Sequence, residues 1–145
     1  MLGRLATWMR LIGCDIAYFP NIDDELLIKL AIKEQRLILT RDTHLIKRRN
    51  AKNNHYYIES DDYKLQLKQV IEHFKIDPYK DILTRCLRCN IEITTVDKNA
   101  IKEEVPLYVY ETQDGFEKCP SCGRIYWDAT HKEHMLKQLR LIVDG

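Results

Sequence analysis

The chain lacks the features that mark a membrane or secreted protein. No apolar run approaches the roughly 20 residues that a membrane-spanning helix needs. We do not expect the opening stretch to be a secretory signal, because Arg4 and Arg10 interrupt its apolar residues. There is no internal repeat or low-complexity tract, and the fractions of 45% hydrophobic and 31% charged residues are typical of a globular protein. We therefore expect a cytoplasmic protein with no membrane partner.

The chain also lacks an excess of charge of either sign. Its 23 basic and 22 acidic residues give a net charge of +1 at pH 7. The charges are nevertheless clustered, since Arg41 and residues 47–49 are close in sequence, while residues 23–25 and 61–62 form acidic spots. The neutral total therefore does not exclude nucleic acid as a partner.

Helices and strands are predicted to alternate in the first half of the chain. Apolar residues at helical spacing and short β-branched or aromatic runs identify the elements. This alternation predicts an α/β fold with a parallel sheet flanked by helices, in which functional groups gather beyond the carboxyl ends of the strands. The predicted order is helix 1–11, strand 15–19, a helix from Asn21, strand 36–40, strand 56–58 and helix 62–74.

The character of the sequence changes after Pro78. Short alternating stretches such as residues 91–96 then predict small antiparallel strands, and a last helix is predicted near the C-terminus. A chain of 145 residues has room for a compact domain and a small stabilised module. We therefore predict an α/β domain over residues 1–78 and a second unit, a ribbon with a C-terminal helix, over residues 79–145.

Four of the five cysteines form two Cys-x-x-Cys pairs, and this spacing predicts a metal centre. Each pair places two sulfurs at the tip of a tight turn, so four thiolates can converge tetrahedrally on one ion. Asn90 and Gly123, which follow the pairs, accept the left-handed backbone that such turns need. We expect a closed, structural zinc site, with rubredoxin-like iron or four unrelated buried cysteines as alternatives, and we expect Cys14 to fill a packing position. The predicted ligands are Cys86, Cys89, Cys119 and Cys122.

A second candidate site is acidic. Asp23 and Asp24 begin one predicted helix and Asp42 ends a predicted strand, so a parallel sheet could bring all three to one end. Such carboxylates can hold a hard divalent cation that activates water and stabilises charge during phosphodiester hydrolysis. The alternative is that these aspartates only cap the helices that follow them.

Several motifs occur together and in a fixed order. They are Met-Leu-Gly-Arg-Leu-Ala-Thr-Trp-Met-Arg-Leu-Ile-Gly-Cys-Asp at 1–15, Asp-Asp-Glu-Leu-Leu at 23–27, Leu-Thr-Arg-Asp at 39–42, the two cysteine pairs, and Gly-Arg-Ile-Tyr-Trp at 123–127. The combination resembles the PIN-domain ribonucleases of the Mut-seven C-terminal type over nearly the whole chain. The resemblance implies a PIN-like nuclease domain fused to a zinc ribbon, acting on single-stranded RNA with magnesium or manganese.

The resemblance also implies roles for individual residues. Asp23 and Asp24 match the acidic pair before Leu-Leu, and Asp42 matches the acid of the Thr-Arg-Asp motif. These three are the candidate catalytic residues, with Asp24 and Asp42 as candidate magnesium or manganese ligands. Family members usually begin with a short apolar strand that ends in a metal-binding aspartate just before Met-Leu-Gly-Arg, where the given sequence starts. Two interpretations follow, a sequence truncated at its start or a protein that binds RNA without cutting it.

Basic and aromatic side chains are candidates for RNA contacts. Phosphate contacts would make binding salt-dependent. Trp8, Tyr126 and Trp127 could stack on bases, but a packing role is the favoured interpretation for all three. The favoured function is a metal-dependent endoribonuclease. The alternatives are a non-catalytic RNA-binding or ribosome-associated module, which would contact ribosomal RNA, and a protein-interaction module. The candidate RNA-binding residues are Arg4, Arg10, Arg41, Lys47, Arg48 and Arg49.

Overall fold

The computed structural model describes residues 2–127 and 130–145, which form an α/β module, a small ribbon and a terminal helix. The helices are α1 (Gly3–Leu11), α2 (Asp24–Lys33), α3 (Tyr63–Phe74), α4 (Leu107–Thr112) and α5 (Thr130–Asp144). The strands are β1 (Ile38–Thr40), β2 (His55–Tyr57), β3 (Thr94–Val96), β4 (Phe116–Lys118) and β5 (Ile125–Trp127). Helices thus flank a parallel pair of strands, and the predicted α/β class is confirmed. Met1, where the first helix was expected to begin, lies outside the described residues.

The first module is built on the parallel pair β1–β2, in which Ile38 lies opposite His55. Helices α1 and α3 contact each other, and their apolar faces share one core with the residue that follows β2. The spacing of these apolar positions explains why both segments are amphipathic helices. The buried members of this core are Leu5, Met9, Ile12, Ile58, Leu67, Val70, Ile71, Leu139 and Ile142.

The terminal helix α5 completes that same core. Its Leu139 and Ile142 are buried there, and the helix lies against α3. The predicted unit of residues 79–145 includes this helix with the ribbon, whereas the buried side chains of the helix lie in the core of the first module. The division near residue 78 stays a prediction about folding units. Among the described residues no helix, α5 included, is both long enough and apolar enough to cross a membrane.

The strand predicted over residues 15–19 is wrong, because this segment belongs to no sheet. Side chains bond both backbone groups of Ile16: its N–H donates to Asn90 Oδ1 at 2.8 Å, and its carbonyl accepts from Arg10 Nε at 2.9 Å. Gly13, expected to end α1, lies just beyond it with a positive φ of 95°, and a side chain there would collide with Asp81.

Helix α2 lies over β1 and the 3₁₀ turn Leu45–Lys47 that follows it, and this arrangement positions the candidate acids. The helix is N-capped by Asp23, whose carboxylate accepts from the N–H groups of Glu25 and Leu26. A second, smaller core holds the three pieces together. Its buried members are Ile28, Ala31, Ile38, Leu45 and Ala51.

The ribbon is a three-stranded antiparallel sheet in the order β3–β4–β5. Residues 91–96 were predicted to form small antiparallel strands, and β3 lies within them. The ribbon has a small core of its own, in which the buried residues are Ile101, Val109 and Phe116. So few buried side chains give the ribbon limited stability without a cross-link or a metal.

Candidate metal centre and nuclease face

Four cysteine sulfurs converge at the tips of the two turns of the ribbon. The Sγ atoms of Cys86, Cys89, Cys119 and Cys122 all lie within 4.8 Å of one another, and those of Cys86 and Cys122 are 3.7 Å apart. A tetrahedral zinc ion with Zn–S bonds of about 2.3 Å would separate its sulfurs by about 3.8 Å. The quartet therefore fits a metal such as zinc, and four protein sulfurs leave no position open for a substrate.

The two cysteine turns have the same backbone pattern. In each pair the first cysteine donates its N–H to the carbonyl five residues later, at 2.8 Å for Cys86 and 2.9 Å for Cys119. Asn90 and Gly123 return an N–H to the carbonyls of these cysteines at 2.9 and 3.0 Å, and their φ angles are 70° and 78°. The predicted left-handed residues after each pair are confirmed.

The electrostatics of the quartet favour a bound cation. Burial by itself raises the pKa of the Cys86 thiol, but hydrogen bonds from Tyr126 and from the backbone of Cys89 and Arg88 outweigh it and bring the pKa down to about 6. Cys89 behaves in the opposite way, because its hydrogen bond with Cys122, burial and the neighbouring thiolates raise its pKa to about 11. Four thiolates therefore oppose one another unless a divalent cation compensates their charge.

Arg10 joins the first module to the ribbon, a role that the sequence analysis did not anticipate. Its Nη1 donates to the carbonyls of Leu87 and Arg88, at 3.0 and 3.1 Å, within the first cysteine turn. Its Nε donates to Ile16, and only 8% of the residue is exposed. Burial lowers the pKa of Arg10, opposed by the charges of Cys86 and Cys89. RNA binding by Arg10 stays a prediction, and the burial of a guanidinium bonded to three carbonyls does not favour it.

A second set of polar contacts reinforces this junction. Asn90, beside the first cysteine pair, donates from Nδ2 to Asp15 Oδ1 at 2.7 Å, and Arg36 donates to the same oxygen at 2.9 Å. These two hydrogen bonds lower the pKa of Asp15. Arg85 donates to the Gly13 carbonyl at 3.3 Å and to the Asn90 carbonyl at 2.8 Å. The segment after α1 is therefore held by the ribbon through charged and amide side chains.

Two of the candidate acids, Asp42 and Asp24, lie near the 3₁₀ turn at the carboxyl end of β1. Asp42 Oδ1 accepts from the N–H groups of His44 and Leu45, at 2.8 and 3.3 Å, so it caps this turn. Arg48 follows the turn and lies 3.9 Å from Asp24. The capping roles considered from the sequence are present for Asp23 and Asp42. Within residues 2–127 and 130–145, no three carboxylates lie close enough together to form a metal-binding group.

The other candidate RNA-binding residues lie in three environments. Lys47, Arg48 and Arg49 are exposed beside the acids. Arg4 stacks on Tyr63, with its guanidinium carbon 3.9 Å from the ring centroid. The remaining candidate, Arg41, donates to the Glu59 carbonyl at 3.3 Å. Their binding to RNA stays a prediction.

The aromatic candidates have packing roles in the structure. Trp8 packs against the main core and stacks on Tyr63, and Trp127 packs on Phe116 in the ribbon. The Tyr126 hydroxyl contacts the metal centre. Stacking of these three residues on bases receives no support from these positions.

An apolar groove of about 640 Å³ runs along β1 on the side away from β2. It is bounded by α1, α2 and the extended segment after α1. The Ile38 N–H and the Thr40 carbonyl bond toward β2, so strand alternation directs the N–H and carbonyl of Leu39 toward the groove. Within the described part of the chain these two groups have no partner, and β1 therefore has an open edge.

The fold and the sulfur quartet fit the class of α/β proteins that carry a ribbon with a four-cysteine metal site. The chain belongs to the Mut7-C RNAse domain family, whose pattern it matches over residues 1–139. The family resemblance predicted from the sequence motifs is confirmed, and the family indicates ribonuclease activity with RNA as the substrate. No curated protein and no solved structure is detectably similar to the chain.

Proposed function

We propose that the chain is a metal-dependent endoribonuclease that hydrolyses phosphodiester bonds of single-stranded RNA. The observation that carries the proposal is the match to the Mut7-C RNAse domain family over residues 1–139. The arrangement at the carboxyl end of β1 supports it, because functional groups of parallel sheets gather there. The zinc-type ribbon has a structural role in this proposal, since its four sulfurs leave no open coordination position.

The proposed reaction uses Asp24 and Asp42, aided by Asp23. Asp42 has one carboxylate oxygen bonded to two amides, and within the described residues its second oxygen makes no hydrogen bond and is available to a cation. Asp23 caps α2 and so fixes the helix start at which Asp24 lies. Arg48, near Asp24, balances the acidic charge and lies where an RNA phosphate would approach. Magnesium or manganese would supply an activated water and stabilise charge on the phosphate.

The groove beside β1 supports the same proposal. The family resemblance implies an apolar strand that ends in an aspartate and is central in the sheet. The open edge of β1 and the apolar walls of the groove suit such a strand. A parallel strand in this position would direct the residue at its carboxyl end toward the same edge as Asp42. The site would then have the additional acid that the described carboxylates lack.

A second candidate function is RNA binding without cleavage, for example on ribosomal RNA. Two observations favour it: the described carboxylates do not form a three-membered metal group, and Lys47, Arg48 and Arg49 are exposed together. Binding through such residues would weaken steeply as the salt concentration rises.

Cleavage of a labelled, unstructured RNA tests the proposal. The chain would be compared with a version that carries any encoded upstream residues, with manganese, magnesium, calcium or no added divalent ion. We expect fragments with manganese and magnesium and none without a divalent ion, and we expect a duplex of the same sequence to be cut more slowly. Salt-sensitive binding with no cleavage by either version would contradict the nuclease proposal and support the binding module.

A further inference from the structure

The Tyr126 hydroxyl connects the two halves of the sulfur quartet. It donates to Cys86 Sγ at 3.1 Å and accepts from the Leu87 N–H, also at 3.1 Å. Tyr126 is on β5, just after the second cysteine pair, whereas Cys86 and Leu87 belong to the first pair. A single hydroxyl therefore bonds to the sulfur of Cys86, which is 40 residues away in sequence, and to the backbone N–H of the next residue, Leu87.

The direction of the Tyr126 side chain follows from strand alternation. Its neighbours Ile125 and Trp127 pack against the small ribbon core around Phe116. Successive side chains of a strand point to opposite faces, so Tyr126 points away from that core and toward the sulfurs. The phenol ring is half-buried, which protects the hydroxyl from competition with water.

We propose that Tyr126 is a positioning residue of the metal centre, which orients the Cys86 thiolate and withdraws negative charge from its sulfur. The inference rests on the proposed zinc centre. Four thiolates around a divalent ion carry a net charge of −2, and a hydrogen bond to a sulfur stabilises part of that charge. The same hydroxyl fixes the Leu87 amide, so the sulfur and the turn that carries it are held by one group. Zinc retention then depends on a residue that is not itself a ligand.

Replacement of Tyr126 by phenylalanine isolates this hydroxyl. The matched control is Tyr110→Phe, because Tyr110 is also in the ribbon but its hydroxyl donates to Asn99 Oδ1 at 3.2 Å. Each zinc-loaded full-length protein would be mixed with a chromophoric chelator, and the rate of zinc release would be followed. Loss of an outer-shell partner weakens metal affinity about 10- to 100-fold, so we expect Tyr126→Phe to release zinc at least about tenfold faster. We expect Tyr110→Phe to remain within about twofold of the wild type.

A cobalt-substituted protein provides a readout that a purely structural role would not change. Removal of a hydrogen bond raises the energy of the sulfur electrons, so the thiolate-to-cobalt charge-transfer band of Tyr126→Phe should move to longer wavelength. Site-specific 3-fluorotyrosine at position 126 keeps the ring and is a stronger donor, so its band should move to shorter wavelength. This second replacement keeps the test valid even if the phenylalanine variant folds poorly.

The outcomes test the proposed metal centre and the positioning role of Tyr126 separately. If the wild type holds no zinc or cobalt, the proposed metal centre itself is wrong. If the wild type holds metal but Tyr126→Phe matches it in both release rate and band position, the positioning role is overturned. In the 3-fluorotyrosine protein, a charge-transfer band at the wild-type wavelength would also contradict the charge-withdrawing role, even if zinc release became slower.

Discussion

Replacing Cys119 by serine is expected to remove the bound metal and unfold the ribbon. Cys119 is fully buried, and the ribbon core contains only three buried apolar residues. A structural zinc ion contributes on the order of 10 kcal/mol to the folding of small modules, far more than so small a core can replace. We expect the zinc content, measured by elemental analysis, to fall from one ion per chain to nearly none. Limited proteolysis should then cut within residues 84–127.

Cys14→Ser is the matched control for this experiment. Cys14 is the one cysteine outside the quartet, and burial raises the pKa of its thiol, which favours the neutral form. We expect this variant to keep one zinc ion and the wild-type proteolysis pattern. A Cys119→Ser protein with a full zinc content would contradict the assignment of the quartet. A reddish wild-type protein that contains iron would favour the rubredoxin-like alternative.

Replacing Arg10 by methionine is expected to destabilise the junction between α1 and the first cysteine turn. The substitution keeps an unbranched apolar stem but removes the guanidinium and with it the three hydrogen bonds to Ile16, Leu87 and Arg88. Hydrogen bonds from a charged donor are strong, and the carbonyls left behind are partly buried, so we expect the free energy of unfolding to fall by about 2–4 kcal/mol. Urea denaturation of the zinc-loaded proteins measures this loss.

Arg4→Met provides the comparison on the same helix. Arg4 is exposed, and its contact with Tyr63 is a stacking interaction that contributes below about 1 kcal/mol at a surface.

Hydrogen exchange should also become faster in residues 13–16 of the Arg10 variant, because the ribbon no longer holds that segment. Equal stabilities for the two variants would show that the junction does not depend on the Arg10 guanidinium.

Local signals made much of this fold predictable. The helix predicted over residues 62–74 is observed as Tyr63–Phe74, because its apolar spacing and the capping Asp62 are both short-range features. The cysteine turns were predictable for the same reason, since paired spacing and the residue after each pair determine the local geometry. The strand predicted over residues 15–19 was wrong, because Ile16 in this segment bonds to side chains and not to a neighbouring strand. One of these side chains, that of Asn90, is 74 residues away in sequence.

Long-range contacts account for what the sequence could not predict. Arg10 was predicted to bind RNA because its charge was visible and its carbonyl partners, 77 and 78 residues away, were not. The role of Tyr126 had a faint signal, since it alternates with the apolar Ile125 and Trp127 and so faces away from their core. Asp23 and Asp42 were ambiguous, because a capping aspartate and a metal-binding aspartate can occupy the same sequence position.

The proposed nuclease site is tested most directly by manganese-dependent cleavage of a labelled single-stranded RNA. The Asp42→Asn variant would be made in whichever version of the chain cuts RNA. Asparagine can still cap the turn, so the fold should persist while a cation ligand is lost. The matched control is Asp97→Asn, since Asp97 accepts from the N–H two residues later, at 3.1 Å, but lies in the ribbon. We expect cleavage to fall at least about a hundredfold in Asp42→Asn, on the scale of a lost metal ligand, and to be unchanged in Asp97→Asn. Wild-type cleavage by Asp42→Asn would contradict the proposal, because the metal-bound acid of the proposed nuclease site would then lie elsewhere.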